Sequence, residues 1–148
     1  MLAQLLVGAA ASLVNIAIHS AWTVFLDHAV RRYWARRPHA QRLRDRVVLM
    51  MAVVAILMAA HVTEVFVWAA TYAAVGAAPG GANRVYLAFV SYTTLGYGDV
   101  VPVPRWHLIG PLTAMNGILL FGWSTAVIFE VVRTTLRGTL NPKAGTEP

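Results

Sequence analysis

The chain has 148 residues, 58% of them hydrophobic and only 12% charged, with a formal charge of +6 and no cysteine. A soluble domain is usually about a quarter charged, so this composition excludes an ordinary water-soluble enzyme, and the missing cysteines exclude disulfides and thiolate metal sites. The positive charge would suggest nucleic acid if it were spread over a soluble surface, but seven of the twelve Lys/Arg lie between Arg31 and Arg46, directly after an apolar run; a membrane topology signal is the simpler reading, and no nucleic-acid partner is expected.

The first predicted element is a spanning helix over 2–26. Its opening, Met1-Leu2-Ala3-Gln4, lacks a positive n-region, and the apolar run is too long for a signal h-region, so no cleavable signal peptide is expected. Gly8, Ser12, Asn15, His19 and Trp22 share one face. Asp27 and His28 belong at the interface. The basic stretch from Arg31 to Arg46 follows as a loop expected on the cytoplasmic side, where it would also attract anionic lipid.

A second spanning helix is predicted over 47–75, with His61, Glu64, Trp68 and Thr71 on one face. Gly76 to Gly81, with Pro79, form a turn cluster. Asn83 is a good helix N-cap. Residues 84–93 then read as a helix of about ten residues, too short to cross about 30 Å of hydrocarbon. The string Thr93-Thr94-Leu95-Gly96-Tyr97-Gly98-Asp99 comes next, followed by a proline-rich return through Pro102 and Pro104. A third spanning helix is predicted over 108–132, with Pro111 tolerated in its first turn. Glu130 and Arg133 are placed for a local ion pair, and 138–148 reads as a disordered tail.

The charges check this order. Arginine-rich segments before helix two and after helix three should both be cytoplasmic. They can be so only if the piece between those helices dips into the membrane and returns on the same side. Non-helical backbone at that depth needs protein or water around it, so the segment reads as a re-entrant loop. The N-terminus is then expected outside, the C-terminus inside, and the chain in the plasma membrane as a multi-pass protein.

In this setting TTLGYGD resembles the selectivity filter of potassium channels. A bare GYG is weak evidence, since it also suits a hairpin turn outside the membrane, but the threonines, Asp99, Pro102 and the apolar flanks add context. The closest likeness is to small prokaryotic ion-channel-domain proteins with one extra helix in front. The resemblance covers 47–137 as a pore module of outer helix, pore helix, filter and inner helix. Residues 1–30 would be the extra helix, 31–46 the basic cytoplasmic loop and 138–148 the tail.

The resemblance implies an all-α membrane protein: three transmembrane helices, a re-entrant pore helix and a filter strand, assembled as a homotetramer around one pore. Thr94, Leu95, Gly96 and Tyr97 would supply oxygen ligands to K+ ions, the only bound species expected in the filter. Gly96 and Gly98 allow backbone angles that residues with a Cβ resist. Leu95 and Tyr97 would point away from the axis and wedge the strand against the protein. Thr93, Gly98 and Asp99 would support the filter, and Tyr86 has the hydroxyl to hold Asp99. Two departures stand out. Val90 occupies a position that is a glutamate behind the filter in some relatives, and Leu87 replaces a frequent aromatic.

Gly117 and Gly122 resemble the hinge of channel inner helices. That alignment puts Ile118, Phe121, Thr125 and Phe129 on one face, as cavity lining and gate, with Ser124 and Glu130 pointing away. Packing against helix two is the alternative for Phe129. The resemblance implies passive K+ conduction. A non-selective cation channel is one rival, and a non-conducting sensor or accessory subunit that keeps the pore fold is another. No catalytic constellation and no membrane helix with arginine at every third position appear, so neither an enzyme nor a voltage sensor of the usual kind is expected.

Asn15, His19, His61 and Glu64 remain. Ionisable groups at membrane depth are expensive and normally face a partner. A hydrogen-bonded clamp holding the first helix to the pore module is one reading. The other is a site sensing protons, since histidine titrates near neutrality, or holding Zn2+ on two imidazoles and a carboxylate.

Overall fold

The computed structural model describes residues 1–36 and 43–140. It is all-helical: α1 spans Leu2–Arg36, α2 Leu43–Val75, the short α3 Arg84–Tyr92 and α4 Ile109–Leu140, with a 3₁₀ turn at Pro104–Trp106 before α4. Three of the helices are long and apolar enough to cross a membrane.

Every long helix extends beyond its apolar run. The predicted ends at 26 and 132 lie at Arg36 and Leu140, and the predicted start of the second helix at 47 lies at Leu43. Hydropathy marks where lipid ends, whereas arginine and alanine favour helix in water as well. The basic segment is therefore largely helical: Arg31, Arg32 and Arg36 ride on α1, Arg44 and Arg46 on α2. Residues 37–42 of that segment, and 141–148 of the predicted tail, lie outside the described residues. Residues 138–140, placed in the tail by the sequence reading, continue α4.

α1 packs along both α2 and α4, and α3 is wedged between α2 and α4. Two apolar clusters hold the arrangement. One joins Val65, Trp68 and Tyr72 of α2 to Leu87, Ala88 and Tyr92 of α3 and to Ile109 of α4. The other joins Leu26 of α1 to Leu49, Val53 and Leu57 of α2. Gly8 lets α1 close on α4, since a Cβ there would lie 2.5 Å from Leu112 Cδ1.

The links between helices are tied at their ends. Asn83 caps α3, its side chain accepting from the amides of Val85 and Tyr86 at 3.0 and 3.1 Å. The Arg105 guanidinium donates to the Val75 carbonyl at 3.2 Å, answering an orphan acceptor at the end of α2. Gln4 accepts from the Leu108 amide at 2.9 Å, so the start of α1 holds the start of α4. The Val103 amide donates to Ala77 O at 2.8 Å, pinning the return loop to the α2–α3 turn.

Candidate functional site

α3 ends at Tyr92, and the chain leaves it through Thr93 with φ −83° and ψ 0°. The Thr93 amide still donates to Phe89 O at 2.9 Å, and the Thr94 amide to Ser91 O at 3.1 Å. Gly96 N reaches back to Val90 O at 3.3 Å. The start of the TTLGYGD segment is thus folded onto the last turn of the short helix by its own N–H groups.

Its backbone is unusual. Thr94, Gly96 and Gly98 have φ of 62°, 55° and 78°, while the residues between them have negative φ. φ therefore alternates in sign from residue to residue through the segment. An extended strand would keep φ negative throughout. Thr94 is the only described non-glycine residue with positive φ, a conformation costing on the order of 1–3 kcal/mol and typical of ligand clamps. Among the described residues no hydrogen bond reaches the carbonyl of Thr94, Leu95, Gly96 or Tyr97. No regular β-strand forms here, since among the described residues the segment has no ladder partner.

Leu95 is 55% and Tyr97 67% exposed on the single chain. Leu87 and Val90 are buried behind it and border an open groove of about 310 Å³ between α3 and α4. Tyr86 donates to Asp99 Oδ2 at 2.6 Å. The Val100 amide donates to Asp99 Oδ1 at 3.0 Å. The hydrogen bond from Tyr86 holds the Asp99 carboxyl below the usual carboxylate range.

α4 runs unbroken through both glycines. Gly117 is a close-packing position: a Cβ there would sit 2.1 Å from Tyr92 O. Gly122 faces open space. Ile118, Phe121, Thr125 and Phe129 are all exposed on α4, Phe129 at 66%, so Phe129 does not pack against α2 within the chain. Ser124 is buried and turned inward. Glu130 is exposed and pairs with Arg133 at 2.9 Å.

The polar residues inside the bundle divide into two groups. Asn15 Nδ2 donates to Asn116 Oδ1 at 2.9 Å and to the Glu64 carbonyl at 3.3 Å. Trp68 Nε1 donates to the same Asn116 oxygen at 3.0 Å. One helical turn away, His19 Nδ1 lies 2.7 Å from Glu64 Oε1 and His61 Nδ1 lies 3.1 Å from Oε2. The Tyr92 hydroxyl donates to Glu64 Oε2 and lies 2.9 Å from His61 Nδ1. Ser124 Oγ lies 2.9 Å from His61 Nε2 and 3.4 Å from His19 Nε2. His19 and Glu64 are wholly buried.

The structure therefore brings His19, His61 and Glu64 together and sends Asn15 to a neighbouring network. Sequence reasoning missed Tyr92 and Asn116, and it placed Ser124 only as pointing away from the pore axis. Polar side chains at membrane depth are themselves the signal, and Asn116 carried it. The donor atoms of His19, His61 and Glu64 lie within 4.8 Å of one another. Tetrahedral Zn2+ at about 2.0–2.1 Å from each ligand would need them about 3.3 Å apart. As arranged, the carboxylate is occupied by hydrogen-bond donors.

Residues 47–134, more than half of the chain, match a family model described as ion channel. No curated protein and no solved structure matches the chain.

Proposed function

Because the chain belongs to this ion-channel family, we propose that it forms a K+-selective pore, built by four copies around a common axis. The observation that carries the reading is the Thr94–Tyr97 backbone: φ alternates in sign, the Thr94 and Gly96 amides are spent on α3, and the carbonyls are left free. A dehydrated K+ ion needs rings of such oxygens in place of its water. One segment supplies one side of each ring, and closed cyclic symmetry supplies the rest.

The exposed faces support assembly. Leu95 and Tyr97 beside the filter, and Ile118 and Phe129 on α4, are large apolar side chains that stand exposed on the single chain. Four copies would turn Gly98 and Asp99 to the outer mouth and the α4 face to a central cavity. The C-terminal end of α3 would direct partial negative charge at that cavity. By the positive-inside rule the N-terminus would lie outside and the C-terminus in the cytoplasm of a plasma membrane. Arg31 to Arg46 would then meet anionic headgroups of the inner leaflet.

Ion-dependent stability tests the reading without conduction. A ligand that binds only the folded assembly raises its midpoint by mass action. K+ should raise the thermal midpoint of the purified assembly more than Na+ at equal ionic strength. Equal midpoints in the two salts would count against a K+ filter.

A further inference from the structure

The cluster around Glu64 draws on every helix of the chain: His19 from α1, His61 and Glu64 from α2, Tyr92 from α3 and Ser124 from α4. No role in a pore requires an ionisable group of the extra helix. Tyr92, however, is the residue from which the TTLGYGD segment departs, and its carbonyl is the atom on which Gly117 of α4 closes.

Hydrogen counting is informative here. Five links need a hydrogen. They are His19 Nδ1 to Glu64 Oε1, His61 Nδ1 to the oxygens of Glu64 and Tyr92, Tyr92 to Glu64, Ser124 to His61 Nε2, and Ser124 to His19 Nε2. With Glu64 ionised and both imidazoles neutral, the five side chains carry four: one on each imidazole, one on Tyr92 and one on Ser124. A fifth completes the set. Ser124 then donates to His61 Nε2 and accepts from His19 Nε2–H. The added proton is assigned to His19, whose Nδ1–H donates to the ionised Glu64 Oε1 while its Nε2–H donates to Ser124.

Charge gives the same count independently. Four hydrogens leave the cluster at a net −1 in a buried site flanked by Trp123 and Phe121. An unpaired carboxylate is severely penalised there. The fifth makes the cluster neutral. Among the described residues no other acidic or basic side chain touches it: α1 offers His19, α2 His61 and Glu64, α3 Tyr92, and α4 only the neutral Ser124.

We propose that His19, His61, Glu64, Tyr92 and Ser124 form a buried proton-binding site that takes up one proton and thereby fastens the first helix to the inner helix and to the root of the filter segment. Losing that proton opens the longest link, His19 to Ser124 at 3.4 Å, and leaves Glu64 drawing on Tyr92 as an uncompensated anion. The proposal rests on the fold and not on which ion is conducted.

The test uses the full chain in lipid nanodiscs. With 15N-histidine labelling, the cluster imidazoles should change from one doubly protonated ring to none as the pH is raised, with a one-proton slope. Glu64→Gln should abolish that step, and an unchanged elution volume on gel filtration shows that the variant still assembles. Because the chain has no cysteine, spin labels at Leu13→Cys and Leu119→Cys report on α1 and α4. Their distance distribution should broaden as the proton leaves, and should be independent of pH in His19→Gln. Two singly protonated imidazoles at every pH would overturn the proton site, and a distribution that ignores the titration would overturn the coupling.

Discussion

The Tyr86 hydroxyl and the Asp99 carboxylate meet at 2.6 Å, joining the first turn of the short helix to the far end of the TTLGYGD segment. Between these two anchors the chain is held at Gly96 by a single hydrogen bond, to Val90 O. The pair therefore ties the far end of the segment back to α3.

Asp99 provides the pH prediction. Its carboxyl is held below the ordinary value, chiefly by the hydrogen bond from Tyr86. A depressed folded value means that the carboxylate stabilises the folded segment above the unfolded value of about 3.9. That contribution is lost as pH falls through the lower folded value. In Tyr86→Phe the Asp99 titration, followed by carboxyl NMR, should move up toward the ordinary value. An unmoved titration would show that the hydroxyl does not hold the carboxylate.

Gly117 and Gly122 should respond oppositely to alanine. A Cβ on Gly117 would lie 2.1 Å from Tyr92 O, a backbone atom that cannot step aside. Overpacking of this kind typically costs about 1–3 kcal/mol. Nothing lies within 4 Å of a Cβ on Gly122, so alanine there should leave stability unchanged or raise it by up to about 1 kcal/mol. Thermal unfolding in detergent separates the two. Equal losses would mean that the close approach at Tyr92 is not what Gly117 is for.

Replacing Asn116 with leucine removes the acceptor shared by Asn15 and Trp68. Hydrogen bonds between membrane helices contribute about 0.6–2 kcal/mol each. Asn116→Leu should weaken the folded bundle by an amount in that range, and combining it with Asn15→Leu should add less than Asn15→Leu costs alone. Full additivity in the double-mutant cycle would mean the two asparagines are not coupled.

Phe129 tests the gate. It is exposed on the same side of α4 as Ile118, Phe121 and Thr125. Four such rings converging on an axis would close a pore by dewetting. Phe129→Ala should raise basal conductance in single-channel recordings without lowering the yield of assembled protein. Unchanged conductance would place the constriction elsewhere.

Much of this arrangement was legible in the sequence because it depends on local rules. The three apolar runs, Asn83 as a cap and the short helix before TTLGYGD follow from length, hydropathy and capping chemistry. Helix ends were not legible, because arginines 31, 32, 44 and 46 mark the edge of lipid without ending a helix. The polar cluster was half legible. Spacing put His61 beside Glu64, and burial cost argued that His19 needed a partner. Tyr92 and Ser124 came from other helices, and only the crossing geometry brings them in. Gly117 was read as a hinge by resemblance, and its close approach to Tyr92 O is a tertiary contact that no periodicity encodes.

The central claim is that Thr94, Leu95, Gly96 and Tyr97 line a K+-selective pore, and the reversal potential of the reconstituted protein between K+ and Na+ solutions tests it most directly. The account predicts a strong shift toward the K+ equilibrium potential. Selective current should be lost in Gly96→Ala: the nearest atom to the new Cβ is Thr94 O at 4.0 Å, but the φ of 55° is one a side chain resists. A reversal potential that fails to separate K+ from Na+, or full K+ selectivity retained in a normally assembled Gly96→Ala, would contradict it.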